Sequence, residues 1–172
     1  MAQSIKNVEI RQAVASDATG IAIVAAYTWM TAYKGLMPDS VLEGRVDALP
    51  ANADRINGLI KNGKSNYAVA VHNGAVIGFA SYGDSRNPDF QGGEINALYV
   101  LKGYAGSGTG RKLFEYAVAQ LKEKGHRSMI INCLEGNPSL EFYKHMGGVI
   151  KGQREDDVFG HTLKENILQF EI

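Results

Sequence analysis

A glycine-rich turn between a predicted strand and a predicted helix is the part of this chain best suited to chemistry. Residues 106–111 read Gly-Ser-Gly-Thr-Gly-Arg; they follow an apolar strand pattern at residues 94–101 and precede an amphipathic helix pattern at residues 109–124. Such a turn presents several backbone N–H groups at a helix N-terminus, where the helix dipole also favours negative charge. The segment therefore predicts a binding site for a ligand that carries a pyrophosphate.

Two common phosphate-binding motifs do not describe this turn. A Walker A loop needs Gly-x-x-x-x-Gly-Lys-Ser/Thr, but Gly106 is followed five residues later by Arg111, so no Walker A loop is expected. A dinucleotide fingerprint needs Gly-x-Gly-x-x-Gly, and Gly106, Gly108 and Gly110 have a different spacing. A nucleotide-binding regulatory domain nevertheless stays open as an alternative use of the loop.

Residues 104–111 resemble the acetyl-CoA pyrophosphate loop of the GNAT superfamily of N-acetyltransferases. Gly108 and Gly110 match the small positions of the family pattern Gln/Arg-x-x-Gly-x-Gly/Ala, whereas Ala105 stands where Gln or Arg is usual. Residues 137–148 are similar to a second family segment that contains Asn, a Phe-Tyr pair and Gly-Phe, except that Gly148 replaces the aromatic residue. The resemblance implies an α+β fold of three α/β/α layers, with a mixed, mostly antiparallel sheet of six or seven strands and a splayed strand pair that holds acetyl-CoA.

The resemblance also implies which residues bind acetyl-CoA as co-substrate. Leu98, Tyr99 and Val100 of the predicted strand would pair with the pantetheine arm and offer a backbone N–H to the thioester oxygen, although their side chains also suit a core. Asn137 would bind the pantetheine amide, or cap a helix, or do both. The implied cofactor-binding residues are Leu98, Tyr99, Val100, Ala105, Gly106, Ser107, Gly108, Thr109, Gly110, Arg111, Asn137 and Tyr143.

Acetyl transfer to an amine needs a base for the amine, donors for the thioester oxygen and a proton for the departing thiolate. By resemblance, Glu94, which lies eleven residues before Ala105, is the general base, and Tyr143 of the Phe-Tyr pair is the general acid. Two simpler interpretations stay open. Glu94 would then be a solvated residue at the start of a strand, and Tyr143 a packed ring with a hydrogen-bonded hydroxyl.

The resemblance places the acceptor amine beside the first two helices. Trp29, Tyr33 and Met37 would form an aromatic wall of that site, although Trp29 at helical spacing also suits a core. Asn96 lies two residues after Glu94 on the same strand face, where it would hold a water or satisfy backbone groups. An aromatic wall with a methionine would suit an apolar or aromatic-bearing amine, and the expected acceptor is a primary amine of a small molecule or a peptide.

The sequence does not identify the acceptor. A polyamine would favour an acidic cleft, to which Asp39, Glu43 and Glu94 are the available contributors, while a protein N-terminus, an antibiotic amine and an amino acid stay open. A non-catalytic module that binds acyl-CoA is a further alternative. The C-terminal strand could also support a homodimer.

Composition narrows the class of protein. The 172 residues predict one domain, and the balance of 18 basic and 18 acidic residues argues against nucleic acid as a partner. The single Cys133 excludes an internal disulfide and favours a cytoplasmic location; in an apolar strand it predicts an inert buried thiol. The four histidines lack metal-ligand spacing, so no metal is expected. No signal peptide or membrane span is expected either.

Several local patterns predict the elements that position these residues. Ser16 is expected to cap a helix that ends near Gly35, and a second helical region at residues 40–46 is interrupted near Pro50. Asn73-Gly74 predicts a tight hairpin, and Asn137 is expected to cap a helix with Pro138 in its first position. Asp156-Asp157 reads as a turn. The predicted ranges are helices at 16–35, 40–46, 52–61 and 109–124, a short helix after 137, and strands at 8–12, 66–72, 76–82, 94–101, 128–133, 148–154 and 166–172.

Overall fold

The computed structural model describes residue 5, residues 7–158 and residues 160–172. Within these ranges the chain forms one seven-stranded sheet and five α-helices. The strands are β1 (Glu9–Gln12), β2 (Asn66–His72), β3 (Ala75–Asp84), β4 (Gly93–Val100), β5 (Ser128–Leu134), β6 (Val149–Val158) and β7 (His161–Glu171). The helices are α1 (Ala18–Ala32), α2 (Asp39–Asp47), α3 (Leu49–Lys61), α4 (Thr109–Glu123) and α5 (Ser139–His145).

The sheet is mixed, and its strands lie in the order β1-β2-β3-β4-β5-β7-β6. Every neighbouring pair is antiparallel except β4 and β5, which are parallel. The tight connection between β2 and β3 is the Asn73-Gly74 turn, in which both residues have positive φ, as a type I′ hairpin turn requires. The predicted α+β class and mostly antiparallel sheet are therefore confirmed.

Helices cover both faces of the sheet, which gives three layers. On one face, Leu113, Ala117 and Leu121 repeat at helical spacing along α4 and are fully buried against the sheet. On the other face, Ile21 of α1 and Ile56 of α3 pack in a second apolar cluster with strand residues. The two clusters bury both faces of the central part of the sheet.

The hairpin of β6 and β7 is longer than the sequence predicts. Asp156-Asp157, expected as a turn, instead belongs to β6, and the strands continue to Val158 and from His161. Their charged side chains interrupt the apolar alternation that predicts a strand. In the structure, Arg154 pairs across the hairpin with Glu165 at 2.8 Å. Charged residues are tolerated here because β6 lies at the edge of the sheet.

Three predicted helix boundaries are also wrong. Ser16 does not cap α1; the Asp17 carboxylate instead accepts a hydrogen bond from the Val14 N–H at 2.8 Å, and α1 begins at Ala18. The helical region is interrupted at Ala48, near Pro50 as predicted, but α3 begins at Leu49 rather than at residue 52, and Pro50 lies in its first turn, where its missing N–H costs nothing. Pro138 precedes α5 rather than beginning it, although Asn137 Oδ1 accepts a hydrogen bond from the Ser139 N–H.

A Walker A pattern does occur in the chain, at residues 58–65, away from the glycine turn considered above. Gly58 lies inside α3, and Gly63 to Ser65 lead from that helix into β2. A phosphate-binding P-loop runs from a strand to a helix N-terminus, whereas this segment runs from a helix C-terminus to a strand. The pattern is therefore a coincidence of residue types.

None of the helices in the described ranges is long and apolar enough to cross a membrane.

Gly148 lies where no side chain fits. A Cβ built there would be 2.9 Å from the Tyr143 carbonyl oxygen and 2.7 Å from the Phe170 ring. We expect Gly148→Ala to lower the free energy of unfolding by roughly 1–3 kcal/mol, because the backbone carbonyl cannot move aside without displacing α5. Chemical denaturation measures this difference.

Gly152 provides the matched control, because a Cβ at this position in β6 meets nothing within 4 Å. We expect Gly152→Ala to leave the free energy of unfolding almost unchanged. Equal losses in the two variants would show that crowding around Gly148 is not the reason that this position lacks a side chain.

Candidate active site

The central feature of the site is a gap between β4 and β5. In the described structure the two strands pair only at Gly93 with Met129 and at Glu94 with Ile130. Beyond Glu94, β4 continues to pair with β3 and β5 continues to pair with β7, so the strands diverge. Backbone groups on the facing edges are then left without a strand partner and are available to a ligand.

A cavity of about 770 Å³ opens from this gap, and we call it the larger cavity. Residues 95–100 of β4 and residues 131–133 of β5 form its two strand walls. Its remaining lining comes from α1 and Tyr33, from the segment at residues 102–111 that contains the glycine turn, and from residues 137–143. Among the residues predicted to bind acetyl-CoA, those that line it are Leu98, Tyr99, Val100, Ala105, Gly106, Gly108, Gly110, Arg111, Asn137 and Tyr143.

The glycine turn presents backbone N–H groups at the mouth of the larger cavity. Gly106 and Gly108 have φ of +75° and +84°, a conformation that other residues adopt only with strain. The first hydrogen bond of α4 joins the Lys112 N–H to the Gly108 carbonyl at 3.1 Å, so the Gly110 and Arg111 N–H groups have no acceptor within the helix. The turn can therefore bind an anion through its backbone.

The side chains of Ser107 and Thr109 hold the turn in shape rather than facing the larger cavity. Ser107 Oγ donates to the Tyr104 carbonyl at 2.6 Å and lies 2.8 Å from Thr109 Oγ1. Thr109 is buried, and neither residue is among those that line the larger cavity. Any contact of these two residues with a ligand would thus come from their backbone.

Tyr143 lies buried in α5 with its ring against the larger cavity. Burial raises the pKa of the Tyr143 hydroxyl, and the neighbouring Tyr99 raises it further. The hydroxyl makes no hydrogen bond to any residue in the described part of the chain, so its proton is available to a ligand. A neutral hydroxyl with a free proton can donate to an anion that forms beside it.

A β-bulge lies at the point where β4 leaves β5. Tyr82 pairs with Ile95 and Ser81 pairs with Ala97, which leaves Asn96 between them without a partner on β3. Bulges of this kind redirect a side chain and are frequent beside active sites. Asn96 accordingly lines the larger cavity and also a second, smaller cavity.

The smaller cavity has a volume of about 450 Å³ and meets the larger one at the gap. Five residues line both cavities and so form their junction: Tyr33, Asn96, Ala97, Tyr99 and Asn132. The two cavities are therefore adjacent at the gap, separated only by the side chains of these shared residues.

Aromatic residues form one wall of the smaller cavity. Trp29 Nε1 donates to Tyr99 Oη at 3.2 Å, and the Trp29 and Tyr33 rings pack edge to face at 4.7 Å. Burial raises the pKa of both Tyr33 and Tyr99, which keeps these hydroxyls neutral. Met37 also lines this cavity. Trp29, Tyr33 and Asn96, predicted to contact the acceptor, thus lie together around the junction.

The structure does not bring Glu94 into either cavity. Its side chain is buried, with 1% of the residue exposed, so it is not a solvated residue at the start of a strand. The carboxylate accepts hydrogen bonds from the Arg86 N–H at 2.8 Å and from Arg86 Nη2 at 2.7 Å. Arg86 itself lines the smaller cavity, so Glu94 is connected to that cavity through this arginine.

Several polar residues of the smaller cavity had no signal in the sequence. Arg45 comes from α2, Arg55 from α3 and Arg154 from β6, while Asn132 comes from β5. No motif links positions so far apart in the chain, and only the assembled fold brings them to one cavity. Arg45 lies over the Trp29 ring at 3.7 Å, and desolvation by burial lowers the pKa of its guanidinium.

Cys133 lies in the larger cavity's strand wall but is poorly suited to act as a nucleophile. Burial raises the pKa of the Cys133 thiol to about 11, so the thiol is protonated near neutral pH. Among the described residues, no three His, Cys, Asp or Glu side chains are grouped as metal ligands.

Comparison with known proteins agrees with this geometry. Residues 27–147 match the model of the acetyltransferase (GNAT) family. The chain is 28% identical to the uncharacterized N-acetyltransferase YuaI of Bacillus subtilis (strain 168), over 92% of this chain and 90% of that protein. It is 30% identical to the L-amino acid N-acyltransferase MnaT of Escherichia coli (strain K12), over 60% of this chain and 63% of that protein.

The fold also matches solved structures. The crystal structure of the PaiA N-acetyltransferase of Thermoplasma acidophilum in complex with coenzyme A aligns with a TM-score of 0.74. The alignment covers 96% of this chain and 99% of that one at 18% identity, so the likeness is one of fold. The family match extends from α1 to the end of α5 and includes the splayed strands, the glycine turn and the Phe-Tyr pair. This chain belongs to the GNAT family of acetyltransferases and is an N-acetyltransferase.

Proposed function

We propose that the enzyme transfers the acetyl group of acetyl-CoA to a primary amine of a small molecule or peptide, by direct attack within a ternary complex. The observation that carries this proposal is the junction of two cavities at the gap between β4 and β5. One cavity has an anion-binding turn at its mouth, and the other has polar and aromatic walls. A junction of this kind lets an amine reach a thioester with no covalent enzyme intermediate.

The larger cavity has the features that acetyl-CoA requires. The free N–H groups of Gly110 and Arg111, at the positive end of α4, suit a diphosphate. The unpaired edge of β4 at Leu98 to Val100 suits the amides of a pantetheine arm, which would lie beside it like a further strand. Bound there, the coenzyme supplies an activated thioester. Asn137, at the start of α5, is the candidate side-chain contact to the arm.

Tyr143 is the proposed general acid. When the amine nitrogen bonds to the carbonyl carbon and the C–S bond breaks, the sulfur leaves with the electron pair and takes up a proton. The buried Tyr143 hydroxyl can donate to that sulfur, because no described residue competes for its proton. The raised pKa keeps the Tyr143 hydroxyl protonated near neutral pH, so it still carries its proton when the thiolate forms.

Glu94 is the proposed base for the amine proton. Because its carboxylate is bound by Arg86, it would act through a water or after Arg86 Nη2 moves away from its 2.7 Å contact. Asn96, in the bulge two residues further on, is positioned at the junction to hold such a water. The reacting amine would then lose its proton only once it lies between the aromatic wall and the gap.

A small-molecule amine is the acceptor that the relatives support best. The name of the Escherichia coli relative refers to an L-amino acid, and another relative in Pseudomonas aeruginosa is named for L-methionine sulfoximine and L-methionine sulfone, with 29% identity over 58% of this chain.

The single buried Cys133 agrees with a reducing compartment, so we place the enzyme in the cytoplasm.

The release of free thiol from acetyl-CoA across a panel of amines tests the proposal. We expect turnover with at least one small amine, and we expect Tyr143→Phe to lower kcat by roughly ten- to a hundredfold with little change in coenzyme affinity. Tyr116→Phe is the control, because Tyr116 lies on α4 and lines neither cavity. Tight binding of acetyl-CoA with no thiol release from any amine would indicate a non-catalytic binding module instead.

The conformation of the glycine turn gives a second prediction. We expect Gly108→Val to abolish measurable acetyl-CoA binding, because valine cannot adopt a φ near +84° and the turn must refold with its N–H groups displaced. The cause is conformational, since a Cβ on Gly108 meets nothing within 4 Å. Titration calorimetry measures the affinity, with Gly103→Val as the control that has ordinary φ and open space. Normal affinity in Gly108→Val would refute the role of the turn.

The role of Glu94 can be separated from that of Arg86. If Glu94 is the base, Glu94→Gln lowers kcat by roughly a hundredfold or more. Arg86→Gln then retains at least about ten times the activity of Glu94→Gln, because the carboxylate remains. Steady-state kinetics with a competent acceptor measures both variants. Equal losses would show that Glu94 serves only to hold Arg86 and its loop.

A further inference from the structure

The smaller cavity carries an excess of positive charge. Its lining contains four arginines, Arg45, Arg55, Arg86 and Arg154, against two acidic residues, Asp156 and Glu165. Both acidic residues are bound by Arg154, at 3.1 Å and 2.8 Å. Arg86 is in turn paired with the buried Glu94 at 2.7 Å, so the four arginines stand against three carboxylates and the excess is one positive charge.

Arg55 is the arginine best placed to receive an anion from outside. Its Nη2 donates to Asn52 Oδ1 at 2.8 Å and its Nε donates to the same oxygen at 3.2 Å, so its recorded partner is a neutral amide. In the described part of the chain, Arg55 forms no ion pair with an acidic side chain. Its guanidinium charge is thus not neutralised by the protein.

Arg45 lines the same cavity, where burial lowers its pKa and the positive charge of Arg55 is close enough to lower it further. Its guanidinium stacks on Trp29, whose indole donates to Tyr99 at the junction. The same burial that lowers its pKa removes water that would otherwise solvate its charge. A desolvated guanidinium gains more from an anionic partner than a solvated one does.

The junction itself holds a buried acceptor that lacks a donor. Asn132 lines both cavities, and its Oδ1 is buried without a hydrogen-bond partner among the described residues. An unsatisfied buried carbonyl oxygen is costly, so it favours a ligand that carries an N–H group. This is the position at which an attacking amine must lie if the proposed function holds.

We propose that the acceptor is an amine that also carries a carboxylate, with its N–H group donating to Asn132 Oδ1 and its carboxylate bound by Arg45 and Arg55. This inference rests on the proposed function and specifies the substrate class of the same site. It disfavours a polyamine, because Asp39, Glu43 and Glu94 line neither cavity. An amino acid of small or medium size has both groups and suits a cavity of about 450 Å³.

Three matched acceptors test the inference. They are L-leucine, L-leucinamide and 3-methylbutan-1-amine, which share a side chain and an amine but differ in the carboxylate; equivalent trios built on methionine and phenylalanine vary the side chain. We expect kcat/KM to be at least about tenfold higher for the best acid than for its amide and its decarboxylated amine. Equal or higher values for the amides or simple amines, or a preference for spermidine, would overturn the inference.

Variants then locate the contact. We expect Arg55→Gln and Arg45→Gln each to raise KM for the acid by at least about tenfold while leaving the amide unchanged. Arg55→Lys is expected to restore part of the preference. Asn132→Leu should raise KM for acid and amide alike, since both share the amine. Arg127→Gln, at an exposed position outside both cavities, is the control. An unchanged acid preference in both arginine variants would contradict the assignment.

Ligand binding separates this inference from the proposed function. If no amine is acetylated, the proposed function fails, and saturation-transfer NMR of L-leucine and L-leucinamide in the presence of CoA decides the inference alone. Binding of the acid that is lost in Arg55→Gln, with no binding of the amide, supports it. No binding of any acid, or equal binding of acid and amide, overturns it.

Discussion

Two parallel strands that pair at only two positions leave the rest of their facing edges without hydrogen-bond partners. Within the described sheet, β4 and β5 separate after Glu94 and Ile130, and each is held in place by its other neighbour, β3 or β7. The backbone groups exposed in the gap must bind water or a ligand, because unpaired buried groups are costly. Both cavities, the Tyr143 hydroxyl and the unpaired side-chain oxygen of Asn132 lie around this gap, so the site depends on the strands staying apart.

The elements around the gap keep it open and supply its chemistry. On one side, α4 packs firmly on the sheet and fixes the glycine turn at its N-terminus. On the other, the contact between Trp29 and Tyr99 ties α1 to β4, and the bulge at Asn96 directs a polar side chain into the junction. The lack of a side chain at Gly148 lets α5 pack closely on β7, which places Tyr143 against the gap. An aromatic residue, which the family pattern has at this position, would not fit here.

The sequence predicted the parts of the site that are local in the chain. The glycine turn and the Phe-Tyr pair are short segments whose residue types carry their own geometry, and the central strands have an apolar pattern. The length of the β6–β7 hairpin could not be predicted, because edge strands with cross-strand ion pairs do not need an apolar pattern. Arg45, Arg55 and Asn132 could not be found, because three separate elements bring them together. The ion pair of Glu94 with Arg86 was missed for a different reason: it depends on the path of the loop at residues 85–92.

A crystal structure with acetyl-CoA bound tests the central claim most directly. The account predicts the diphosphate within hydrogen-bond distance of the backbone N–H groups of residues 106–111. It also predicts the pantetheine arm along the free edge of β4, with the sulfur beside Tyr143. A coenzyme bound elsewhere, or β4 and β5 closed into a continuous ladder with the turn's N–H groups directed inward, would contradict it.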